Sequence, residues 1–371
     1  MTTIINGSSP SVTFSDNTTQ TTAGLPLTGG TITGNVTTTG NVTTAGLIVG
    51  TTALGAGNAT RFKNRIINGD MRIDQRNAGA SITANNNTYA TDRWQFSMSQ
   101  SSKGTAQQNQ GSVTPPAGFS NYLGFTSSSA YSVTSTDAFQ VVQKIEGFNF
   151  ADLGWGTANA KTVTLSFWVY SSLTGTFGGA FINNGFTRSY PFSYSIPVAN
   201  TWTQISVTIA GDTTGTWIGA TNGIGVRVIF SLGTGTTYSG TAGAWVGSDI
   251  ESVTGATSVV GTNGATFYIT GVQLEVGSSA TGFEYVDYTT QLAMCQRYFE
   301  VGGSNSFVVV SSIGGRYPSQ PFRVTKRTSP TMVLTLGAGS GATVSSDATG
   351  FYQNSNNSQD ANCAFTASAE L

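Results

Sequence analysis

The sequence predicts an all-β protein in three parts: a fibrous β stalk over residues 1–60, a β-sandwich over 61–300 and a short β module over 301–371. Three observations carry this. First, the 371 residues include 58 Thr, 21 Phe, 13 Tyr and 6 Trp, types that suit a pleated, half-buried surface. Second, 47 Gly supply turns throughout the chain. Third, short alternating segments recur without helical stretches between them, the pattern of a sandwich. Charged residues are only 9%, yet 38% are hydrophobic and 11% aromatic. That is enough apolar surface to offset the entropy of ordering, which disordered chains lack.

Residues 1–60 hold one charged side chain, Asp16, and one aromatic, Phe14. Val12 to Gln20 reads as strand, turn, strand, with Asp16-Asn17 suited to a tight hairpin. A repeat of period six follows: Gly34, Gly40 and Gly46, each trailed two residues later by Val36, Val42 and Ile48. An even period keeps these apolar residues on one side of an extended chain. One such line buries almost nothing alone, whereas several copies wound about an axis bury it together. Three parallel chains are the natural small closed solution, and the stalk is expected to form only in an oligomer. The competing reading is a flexible Gly/Thr linker.

At Arg61 the composition changes. Arg61, Lys63, Arg65, Arg72, Arg76 and Arg93 stand against Asp70, Asp74 and Asp92. Strands are expected at Thr164–Tyr170, Trp202–Ile209, Gly225–Phe230 and Thr266–Leu274. One helix is expected from Thr289 to Phe299, with Leu292, Cys295 and Phe299 at i, i+3 and i+7 and Thr289 or Thr290 as its cap. Glu284 and Asp287, just ahead of it, read as capping or ion-pairing residues. The last module shows strand patterning at Phe307–Val310 and Thr331–Leu336.

Composition excludes several chemistries. The chain has no His, which removes Ser-His-Asp and Cys-His nucleophiles and His-ligated metals. Two Cys, Cys295 and Cys363, make neither a zinc site nor a disulfide framework and read as free thiols of a protein folded in the cytosol. A net charge of −1 argues against nucleic acid as a partner. No apolar run approaches the roughly 18 residues of a membrane span. The amino terminus lacks a basic stretch followed by an apolar one, so no signal peptide is expected. Loop carboxylates and carbonyls suit Ca²⁺, but no spacing demands it, and no cofactor is expected.

Only carboxylates remain for acid–base work at neutral pH. Asp249 and Glu251 share a face if extended, and glycoside hydrolysis uses carboxyl pairs ~5–9.5 Å apart. Their Gly-flanked position reads equally as a solvated loop. Aromatic rings are the richer feature, because an exposed ring is a rigid platform for the C–H face of a sugar. In the strand after Trp202, Ile205, Val207 and Ile209 share one face, and Trp202, Gln204, Ser206 and Thr208 share the other. In Thr164–Tyr170, Leu165, Phe167 and Val169 oppose Ser166, Trp168 and Tyr170. Trp168, Tyr170, Trp202 and Gln204 are therefore candidate platform residues, with core packing or a subunit contact as the alternatives. Trp155, Trp217 and Trp245 join them from probable loops beside Gly and Thr.

Several segments together resemble bacteriophage tail fibres. Val12 to Ala23 (VTFSDNTTQTTA) and Leu25 to Val36 (LPLTGGTITGNV) resemble repeats common in such fibres. Asn64 to Gly79 (NRIINGDMRIDQRNAG) and Tyr89 to Trp94 (YATDRW) look like the opening of a receptor-binding domain, as do KTVTLSFWVY, GDTTGTW and GVQLEV further on. Phe283-Glu284-Tyr285 and LAMCQRY resemble its close, and Ala369-Glu370-Leu371 resembles fibre endings. The resemblance implies a jelly-roll, carbohydrate-binding-module-like domain on a homotrimeric stalk at the virion tail. It implies attachment to a phage tail or baseplate protein through the amino-terminal segment, and adhesion to a host surface polysaccharide or lipopolysaccharide. Assembly in the host cytoplasm and release by lysis fit the missing signal peptide. The alternatives are a glycan depolymerase using Asp249 or Glu251, and a structural connector with no ligand.

Overall fold

The computed structural model describes residues 63–309, 319–336, 342–355 and 361–371, together with three short strands nearer the amino terminus. The chain separates into two compact units, Met1–Ile48 and Val49–Leu371. In the first unit β1 (Ile4–Asn6), β2 (Ser11–Thr13) and β3 (Thr19–Gln20) form an antiparallel sheet. The six-residue repeat over 32–48 lies outside the described residues.

The second unit is built on a β-sandwich. Its strands are β4 (Ile82–Thr83), β5 (Thr88–Thr91), β6 (Trp94–Met98), β7 (Gly104–Gln108), β8 (Leu123–Ser127), β9 (Ala138–Glu146), β10 (Val163–Ser171), β11 (Gly175–Ile182), β12 (Ser189–Ile196), β13 (Thr203–Ile209) and β14 (Ile224–Thr234). A short parallel pair, β15 (Ser239–Gly240) and β16 (Ser252–Val253), precedes β17 (Thr266–Val276). One six-stranded sheet runs β13-β10-β17-β8-β7-β4; the facing sheet runs β12-β11-β14-β9-β6-β5. The chain passes repeatedly from one sheet to the other, in the manner of a jelly roll.

The alternation read from the sequence sets the faces. Leu165, Phe167 and Val169 on β10 point inward and are buried, as is Ile209 on β13. From the facing sheet Phe177, Phe181, Phe192 and Phe230 meet them, and the Phe167 and Phe230 ring centroids lie 5.0 Å apart, edge to face. Burying each such ring contributes about 1.5–3 kcal/mol.

The segment ahead of β4 is held by side chains that bond to backbone. Asn64 Oδ1 accepts from Ile66 and Leu274 nitrogens, and Asn68 bridges Ile73 and the Asp92 carbonyl. Gly69 lies so close to the Val272 carbonyl oxygen that a Cβ would stand 2.1 Å from it. Among the described residues, no helix is long and apolar enough to cross a membrane.

The expected helix is present but shorter: α1 spans Tyr288–Gln296. Asp287, not Thr289 or Thr290, caps it, its carboxylate accepting from the Thr290 nitrogen at 3.0 Å. Phe299 is drawn out of the helix because its backbone pairs with Ser368 at the start of a strand. Cys295 is a buried free thiol beside Ile67, Ile73 and Tyr298.

The remaining strands are β18 (Phe299–Val309), β19 (Ser319–Pro321), β20 (Thr331–Leu336), β21 (Ala342–Ser346), β22 (Gly350–Ser355) and β23 (Ala361–Ser368). They form two three-stranded sheets, β18-β23-β20 and β19-β22-β21. Phe322, Phe351 and Phe365 form a separate small core.

Candidate functional site

Pairing of β10 with β13 and β17 assembles four of the sequence candidates on one outward face. Trp168 stands directly opposite Gln204 on β13 and Thr270 on β17. Ser166 stands opposite Ser206 and Gln273, and Tyr170 opposite Tyr268. Gln204, Ser206 and Thr208 are exposed, while Trp168, Tyr170 and Trp202 are half-buried. The face therefore carries rings, hydroxyls and two amides, Gln204 exposed and Gln273 buried, with Glu275 buried at its far end opposite Thr164.

The rings support one another. Tyr170 stacks on Tyr268 at 5.2 Å with 6° between planes, and Tyr268 stacks on Tyr122 at 5.1 Å. Trp202 packs 5.5 Å from both Tyr170 and Tyr122, and its indole N–H donates to the Thr114 carbonyl at 2.9 Å. A bulge interrupts the β10–β17 ladder between Ser166 and Trp168. It falls at Gly271, whose φ of +61° favours glycine. The Trp168 and Phe119 rings close on the space a side chain there would occupy. Beyond lie Phe283 and Tyr285, packed on Phe119 and each other at 5.1–5.8 Å.

The sequence reading omitted Tyr268, Thr270, Tyr122 and Phe119. Alternation along Thr266–Val276 would have placed Tyr268 and Thr270 opposite buried Phe267 and Ile269. Tyr122 and Phe119 lie outside or at the end of a strand, where period-two patterning has no grip.

Trp155, Trp217 and Trp245 come together elsewhere. Their centroids are 5.0, 5.0 and 5.4 Å apart, all edge to face. Their indole nitrogens donate to Lys161 O, to Asp212 Oδ2 and Thr214 O, and to Ala210 O respectively. Trp155 is only 5% exposed and packs against Phe150 and Phe181 as well. This corrects its placement among the platform rings: it is a core residue. Trp217 and Trp245 are half-buried against that core. Asp212 anchors the group, holding Arg188 through two hydrogen bonds of 2.8 and 2.7 Å.

Asp249 and Glu251 lie over the outer face of the opposite sheet. With Asn86, Ser97, Ser99, Thr136, Phe186 and Tyr238 they line a cleft of about 470 Å³. Glu251 accepts a hydrogen bond from Gln140 Nε2. Burial pushes the Glu251 carboxyl up to about 7, and the charge of Asp249 adds to this. Burial also raises Asp249, against the pull of Arg227. No three His, Cys, Asp or Glu side chains gather as a metal site among the described residues.

No protein-family model and no curated protein matches this chain. Solved structures similar to it include the enzymatically active domain of tailspike protein 4 from bacteriophage CBA120, at 14% identity and a TM-score of 0.32, covering 58% of this chain. The chain spans 22% of that structure's length. A putative sugar-binding protein from Bacteroides thetaiotaomicron is similar over 58% of this chain and all of its own, at 13% identity and TM-score 0.34. A family 11 carbohydrate-binding module from Clostridium thermocellum, in complex with a mixed-linked tetrasaccharide, is similar over 56% of this chain and 99% of its own, at 10% identity and TM-score 0.26.

Proposed function

We propose that this chain is a glycan-binding adhesin, and that its ligand lies across the outer face of β13, β10 and β17. One observation carries the reading: Trp168 and Tyr170 sit beside exposed Gln204, Ser206 and Thr208 on one sheet face. A half-open indole offers an apolar platform to a sugar ring, and the amide and hydroxyls are placed to bond its hydroxyls. Such a site needs no cofactor and no chemistry. The ordered resemblance to phage tail fibres supports a host-attachment role at a virion tail, with the ligand a host surface polysaccharide or lipopolysaccharide. Weak binding per site is strengthened when several copies share one particle.

Binding of purified chain to a panel of bacterial surface polysaccharides tests this. Trp168→Ala is expected to weaken binding by about 2 kcal/mol, roughly 30-fold, with the unfolding midpoint close to that of the parent. Undiminished binding by a folded Trp168→Ala protein would remove this face as the site. The stalk assignment makes a separate prediction. Sedimentation equilibrium on the full chain should give three times the 38.4 kDa chain mass; a single-chain mass would remove the fibre reading while leaving the sugar face in place.

A further inference from the structure

We propose that the cleft over the second sheet is a separate binding site for a saccharide bearing a free, positively charged amino group. The cleft combines a sugar-sized volume of about 470 Å³ with two kinds of wall. Phe186 and Tyr238 supply rings, and Asn86, Ser97, Ser99 and Thr136 supply amide and hydroxyl groups. Phe186 is a bulky side chain held 40% exposed at a left-handed φ of +55°. That conformation costs energy, and strain of this kind clusters at ligand sites among other places.

Among the described residues the acidic wall has one cation nearby, Arg227, and no hydrogen bond joins it to either carboxylate. Glu251 is 8% exposed, and among the described residues its side chain accepts one hydrogen bond, from Gln140. Asp249 Oδ1 is a buried atom with no hydrogen-bond partner among the described residues. Arg227 is the positive group near both, yet its donors go to Asn183 O, Asn184 O and Asn184 Oδ1, and its guanidinium lies 4.2 Å over the Phe186 ring. Asp137, behind Thr136 and Ala138, adds a further negative charge but is fully satisfied by Ser99, Tyr131 and Thr134. An ammonium entering the cleft would donate hydrogen bonds to the open carboxylate oxygens and add positive charge beside half-buried Asp249 and buried Glu251.

Isothermal titration of the full chain with the trisaccharide of glucosamine and with its N-acetylated counterpart tests the proposal. The amine form is expected to bind at least tenfold more tightly. Asp249→Asn and Glu251→Gln should each erase that preference, while neither changes binding of neutral polysaccharide on the aromatic face. Equal affinity for the two trisaccharides, no heat from either, or preference retained in a folded Asp249→Asn protein would overturn it. Shortened products on chromatography of the incubated trisaccharide would overturn it in favour of a catalytic cleft.

Discussion

Replacing Glu370 with alanine is expected to destabilise the second unit by about 3–5 kcal/mol, the cost of leaving a buried ion pair with one partner missing. Glu370 is the carboxylate partner of two of the basic residues in the segment after Arg61. One carboxylate oxygen pairs with Arg76 at 2.7 Å, and the other pairs with Arg93. Arg93 is 3% exposed, stacks 3.6 Å over the Tyr298 ring and donates to the Lys144 carbonyl at 2.6 Å. The residues flanking Glu370 are tied in as well: the Ala369 nitrogen donates to Tyr298 O at 2.7 Å, and Lys144 Nζ donates to Leu371 O at 2.7 Å. Urea midpoints read the effect. A Glu370→Ala protein within about 0.5 kcal/mol of the parent would show that the network contributes nothing, as exposed pairs often do. Replacing both partners, Arg93→Met with Glu370→Leu, should cost less than Glu370→Ala alone, because the more deeply buried cation is then not left without its carboxylate, and Arg76 keeps Asp92 at 3.7 Å.

Stability should peak on the acid side of neutrality and fall by several kcal/mol between about pH 4.5 and 7.5. Burial pushes the carboxyls of Asp92 and Glu251 each up to about 7. Below about pH 3 both are protonated whether the chain is folded or not. Between there and pH 7 the unfolded chain ionises while the folded chain retains its protons. The folded state then binds more protons, and stability drops by about 1.4 kcal/mol per pH unit for each group. Other carboxylates act oppositely. Glu146, despite its burial, is held below the usual range by Arg297 and the Tyr298 hydroxyl, and Asp212 by Arg188. Their contribution is present above about pH 4 and is lost as pH falls through their folded values. Thermal midpoints across this range measure the balance. Asp92→Asn combined with Glu251→Gln should flatten the neutral limb and leave the acid limb intact. A parent profile that is level or rising from pH 4.5 to 7.5 would contradict the assignment.

The amino-acid sequence by itself determined the all-β class, the inward and outward faces of β10 and β13, and one helix ahead of the last module. Those are properties of local periodicity: side chains two apart on a strand share a face wherever the strand lies. Trp168, Tyr170, Trp202 and Gln204 were legible for that reason. Tertiary structure alone decided which strands are neighbours, and so which rings meet. It brought Tyr268 from a strand about a hundred residues away onto Tyr170, buried Trp155 among two other indoles, and placed Asp249 and Glu251 in a cleft over the opposite sheet. It also supplied the distant Glu370 as partner for Arg76 and Arg93. Charge balance, burial and ring stacking depend on separation in space, and no periodicity along a chain records distances between residues brought together only by the pairing of strands.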